Sequence, residues 1–124
     1  MFQSSPMLRE FPDCSNQGAC RAFLREFESL LIGSYRPQVV FDMSQVSEMN
    51  SMGIDLMLKC IIKIANHDGD LRLAAPSPET ALVLELARLS DVVEVFNTVT
   101  EAMESFDGHL FGVSSRRDSR TAAS

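Results

Sequence analysis

Hydrophobic positions along the chain alternate between helical spacing and short continuous runs, and the alternation holds to about residue 106. Ala19, Phe23, Phe27, Leu30 and Leu31 recur three or four apart, with Arg21, Arg25, Glu26 and Glu28 between them. That spacing predicts an amphipathic helix, closed by Gly33 as a left-handed cap. QVVFDM at 38–43 is a short apolar run after Pro37 and reads as a strand buried on both faces. From Gly53 the pattern returns to helical spacing, with Ile54, Met57, Leu58, Ile61, Ile62 and Ala65 on one side and Asp55, Lys59 and Lys63 on the other, as far as Asp68-Gly69. LRLAA at 71–75 predicts a strand. Ser77 as cap and Pro78 at the first helical position open a third helix reaching about Leu89. VVEVF at 92–96 predicts the last strand, and Thr98 with Glu101 forms a capping box before a helix that ends near Phe106. A weak strand over Met7 to Pro12 and a turn-like DCSNQG precede all of these.

Strands alternating with helices at short spacing imply right-handed crossovers and a parallel sheet. The expected fold is therefore a small α/β domain. It has a mostly parallel four-stranded sheet, open to a mixed arrangement at its N-terminal edge, and about four helices. Residues 1–106 form the domain; 107–124 lack periodicity and are expected to be disordered.

Charge narrows the partners. The chain has 124 residues and a net charge of -6. Residues 1–106 hold 8 Lys+Arg against 15 Asp+Glu, and 107–124 hold three Arg against two Asp. Such a body argues against nucleic acid as a partner. Charged residues interrupt every long apolar stretch, so none inserts in a membrane, and the N-terminal residues show no signal-peptide pattern. Cys14, Cys20 and Cys60 are odd in number and no two are separated by two residues, so three reduced thiols and a cytoplasmic location are expected.

Candidate chemistry is sparse. His67 and His109 have no metal or triad partner nearby in sequence, and no glycine-rich nucleotide cradle occurs. Asp42, ending a hydrophobic strand, could be the phosphoacceptor of a receiver domain or simply a polar strand end; the lysine that a receiver needs after a later strand is lacking. No catalysis, cofactor or metal is expected. The remaining candidate is the seam Asn50-Ser51-Met52-Gly53, where a strand leads into a helix. Asn50 or Ser51 can cap that helix, and Gly53 can allow a close approach. A hydroxyl at a helix N-terminus is also well placed to carry phosphate, because free amides and the positive dipole end favour an anion. Met43, Met49, Met52 and Met57 cluster here. Methionine suits both cores and adaptable partner surfaces; Met57 fits the core and Met52 is the candidate for exposure.

The order VVFDMSQVSEMNSMGIDLML followed by GDLRLAAPSPETALVLELARLSDVVEVFNTVTEAMESF resembles a STAS domain of the anti-sigma-factor antagonist type, over about residues 21–106. The resemblance implies Ser51 as phosphoacceptor, with Asn50, Met52, Gly53, Ile54 and Asp55 around it as the partner-binding residues. It further implies a regulatory module that binds a serine-kinase anti-sigma factor, is switched off when that kinase phosphorylates it, and is restored by a phosphatase. In place of the family's usual aspartate stands Asn50, and in place of a small residue stands Met52. The family's longer N-terminal strand pair is abbreviated. Asp55, one helical turn beyond Ser51, would repel a phosphate there. The alternative is a STAS subunit that is never phosphorylated and serves in a signalling scaffold or a membrane-associated transport complex.

Overall fold

The computed structural model describes residues 6–107. Strand β1 (Met7–Glu10) leads through helix α1 (Gln17–Leu31) to β2 (Gln38–Asp42). Helix α2 (Ser51–Asn66) connects to β3 (Asp70–Ala74), and α3 (Pro78–Leu86) with a 3-10 turn at Leu89–Asp91 connects to β4 (Glu94–Phe96), before α4 (Val99–Asp107). The sheet order is β1-β2-β3-β4 and every pairing is parallel. The expected four-stranded α/β fold is present, and the N-terminal edge left open to a mixed arrangement is parallel. The expectation of a disordered tail lies outside the described residues.

Sequential order and right-handed crossovers together place α1, α2 and α3 on one side of the sheet. Alternate strand residues then serve two cores. Val39, Phe41, Leu71 and Leu73 join Phe27, Leu31, Met57, Cys60, Ile64 and Leu84 in the larger one. Val40 and Ala74 point the other way and pack with Ala102 and Phe106 of α4. At the centre of the larger core the Phe41 ring lies 5.3 to 5.5 Å from those of Phe11, Phe23 and Phe27, mostly edge to face. On the α4 side, the guanidinium of Arg72 stacks 3.9 Å from the Phe106 ring and pairs with Asp70, which keeps its charge compensated in a largely apolar layer.

Several expectations shift in detail. The buried stripe of α1 contains Cys20, Phe27 and Leu31, whereas Ala19 faces solvent. On α2 the buried residues are Gly53, Leu56, Met57, Cys60 and Ile64, so Leu58 and Ile62, expected on the apolar side, are 43% and 57% exposed. The third helix stops at Leu86, because Arg88 takes a left-handed φ of 66° before the 3-10 turn; β4 consequently begins at Glu94 rather than 92. Gly33 has the expected left-handed φ of 82°, and Glu101 donates its amide to Thr98 Oγ1 at 3.0 Å, as the capping box requires. No helix among the described residues is long and apolar enough to cross a membrane.

Cys14 and Cys20 are joined as a disulfide, which corrects the expectation of three reduced thiols. Asn16 accepts amide hydrogens from Gly18 and Ala19, starting α1 abruptly and folding the segment back until the two Cα atoms are 5.8 Å apart, within the span of a disulfide. Cys60 remains a free, buried thiol.

Two outcomes follow from this core. Phe41→Ala is expected to lower the unfolding free energy by about 3–5 kcal/mol in urea denaturation, since it removes the ring on which three others converge. Burial pushes the Cys60 thiol up from 9.0 to about 12, so the folded chain keeps a proton that the unfolded chain gives up. That contribution is complete below pH about 9 and is lost as the pH rises towards 12. The alkaline decline in stability should therefore be steeper in the native chain than in Cys60→Ala.

Candidate functional site

The seam sits where the parallel-sheet architecture places binding sites, at the carboxyl ends of the strands. After β2, Asp42 Oδ1 accepts the Ser44 amide at 3.0 Å and Met43 donates to Ala74 O at 2.8 Å, so Asp42 is a strand-ending turn residue. Met43, Val46 and Met49 are buried beneath the connection and hold it down. The backbone then enters α2 at Ser51.

Asn50 is the N-cap, in extended conformation, and its Oδ1 accepts the Gly53 amide at 2.9 Å. Its Nδ2 donates to the carbonyl of Cys14, also at 2.9 Å. The side chain thus acts in both directions, and only an amide can do so: an ionised aspartate would still cap α2 but would turn an acceptor towards the Cys14 carbonyl. A second link joins the same two segments, with Ser47 Oγ donating to Asp13 Oδ2 at 2.9 Å. Sequence reasoning missed the 13–16 turn as part of the site. Its signal was present in DCSNQG, a run of cap and turn formers, but the long-range pairing with residues 47–50 is invisible locally.

Gly53 is buried, and its close neighbour is not the expected strand. A Cβ there would lie 3.0 Å from Met49 Sδ and 3.6 Å from Asn50 Oδ1, so glycine is what lets the cap and the methionine close over the first turn. Ser51 is exposed at the first helical position. Its amide and that of Met52 belong to the first-turn donors that no residue of the helix can accept from. Met52 is half-buried rather than free. It lines a groove of about 140 Å³ between α1 and α2, with Cys20, Arg21, Leu24, Asp55 and Lys59 among the walls. Of the four clustered methionines, Met43, Met49 and Met57 belong to the core.

Ile54 is half-buried and Asp55 is exposed. The Asp55 carboxylate pairs with Lys59 at 3.0 Å, one turn further on. An anion at Ser51 would therefore meet a compensated carboxylate instead of the isolated negative charge expected from spacing, although both partners are largely in water and the pair adds little to stability. The five residues around Ser51 form one continuous turn, two of them structural (Asn50 and Gly53) and three at least partly accessible.

Asn50→Ala is expected to cost about 1–2 kcal/mol in urea denaturation, through loss of the cap and of the Cys14 link. Asn50→Asp should fall between the two, because it keeps the cap and loses the donor. Equal stability of Asn50→Asp and the native chain would show that the link to Cys14 contributes nothing.

Comparison with known proteins agrees with this geometry. The STAS domain family model matches residues 15–102. A Thermotoga maritima protein named "Putative anti-sigma factor antagonist" is 26% identical over 78 residues, 63% of this chain and 68% of that protein. An anti-sigma-factor antagonist (STAS) domain protein from Planctomyces limnophilus shares the fold, with a TM-score of 0.65 at 21% identity over 76% of this chain and 84% of that one. The crystal structure of a Thermotoga maritima protein of the same description gives 0.54 at 18% identity, over 82% and 81%. With most of the described residues matched and the same parallel sheet in the solved relatives, this chain belongs to the STAS domain family.

Proposed function

We propose that the chain is an anti-sigma factor antagonist that docks on a cytoplasmic serine-kinase anti-sigma factor through Ser51 and the exposed start of α2, and that phosphorylation of Ser51 releases it. The observation that supports the reading most is the division of labour at the seam. Asn50 takes the capping role, leaving the exposed Ser51 hydroxyl outside the cap and beside first-turn amides that can receive a phosphate. Phosphate would add about 1.5 to 2 negative charges to a contact surface that otherwise offers Met52, Ile54 and the Asp55–Lys59 pair. In this role the chain binds and is modified; the kinase and a phosphatase perform the chemistry.

A second reading is a STAS subunit that assembles without modification, in a signalling scaffold or a membrane-associated transport complex. Met52 favours it, since the side chain stands next to Ser51 and partly fills the groove where a smaller residue would leave room.

The readings separate by experiment. Incubation with the anti-sigma kinases of the same organism and radiolabelled ATP should place phosphate on Ser51, as mapped by mass spectrometry, and Ser51→Ala should abolish the label while retaining the complex. Ser51→Asp should weaken binding tenfold or more in calorimetry, about 1.4 kcal/mol. A complex that survives Ser51→Asp unchanged, with chain from its native host always of unmodified mass, would establish the second reading.

A further inference from the structure

The disulfide lies in a position that the role proposed above does not use. Cys20 is the fourth residue of α1, in the first turn, and Cys14 lies six residues before it on the turn that Asn16 caps. Amides and the dipole at a helix start favour a thiolate there, which makes such a cysteine both a good nucleophile and a good leaving group. Cys20 also forms part of the groove wall between α1 and α2, so a small reagent can approach it, while Cys14 is covered. The carbonyl of Cys14 itself holds Asn50 Nδ2, and Asn50 Oδ1 holds the Gly53 amide. One covalent bond is thus connected by two consecutive hydrogen bonds to the first turn of α2.

We propose that Cys14 and Cys20 form a reversible dithiol–disulfide site, oxidised by low-molecular-weight disulfides, that sets how firmly Asn50 holds the start of α2. In the oxidising direction the Cys20 thiolate attacks one sulfur of a small disulfide and expels the first thiolate, leaving a mixed disulfide on Cys20. The Cys14 thiolate then attacks Sγ of Cys20 and expels the second. The pair gives up two electrons and two protons, the reagent gains both and leaves as two thiols, and an excess of the same thiol reverses the sequence. Oxidation pins the 13–16 turn against α1 and keeps the Cys14 carbonyl in place. Reduction frees that turn to move away from residues 47–50. Cys60 stays outside the exchange, because it is fully buried and holds its proton. The site stands whether or not Ser51 accepts phosphate, since its effect is read at Gly53.

The test is a titration of the full chain in buffers of reduced and oxidised glutathione. Trapping with N-ethylmaleimide under denaturing conditions and weighing the intact protein distinguishes three labels in the dithiol form from one in the disulfide form, given the three cysteines of the chain. Hydrogen exchange is followed at the Gly53 amide in parallel. The expected result is a reversible passage between one and three labels, with Gly53 exchanging about fivefold faster in the reduced form, the loss of roughly one helix cap. Asn50→Ala should remove that difference. A chain that keeps one label in excess reduced glutathione, or three in oxidised glutathione alone, overturns the reversible site. Equal Gly53 exchange in both forms, or a difference that persists in Asn50→Ala, overturns the coupling; the native chain decides the first question without any variant.

Discussion

Right-handed crossovers between neighbouring parallel strands leave the chain little choice about where its helices go. With the strands in sequential order, each of the first three helices returns on the same side of the sheet, and only α4, which follows the last strand, covers the other. Both faces of β2 must then be apolar, which Val39 and Phe41 on one side and Val40 on the other provide. The same constraint collects every strand-to-helix connection at one end of the sheet. The turn after β1 and the seam after β2 are neighbours for that reason, although 36 residues separate Cys14 from Asn50.

That proximity changes the meaning of Asn50. Taken as a departure from the aspartate usual in its family, it looks like the loss of a charge. In the folded chain it is the one side chain at the seam that must accept from its own helix and donate to the 13–16 turn, a requirement that an amide meets and a carboxylate does not. The assignment of the cap to Asn50 in turn separates structure from function at adjacent positions: residue 50 holds the helix, and residue 51 is left facing solvent.

Element types and order were legible because strand and helix periods differ sharply and because the punctuation was strong, with Ser77-Pro78 before α3 and Thr98 before α4. Which face of α2 is buried was not legible. Its apolar residues reach almost round the helix, so Leu58 and Ile62 fit a hydrophobic stripe as well as Leu56 and Cys60 do, and contact with the sheet selects the latter pair. The end of α3 was hidden for a similar reason. ALVLELARL continues a helical pattern without a glycine, and the left-handed turn at Arg88 is imposed by the need to bring β4 alongside β3.

The sequence by itself determined the α/β class, the four strands, the caps and the seam with Ser51 at its centre, because each of these depends on residues a few positions apart. The tertiary structure decided the all-parallel edge, the buried face of α2, the pairing of Cys14 with Cys20 and the double role of Asn50. Those depend on groups brought together across the sheet or between separate turns, and no local pattern encodes a contact whose partner lies a whole strand and helix away.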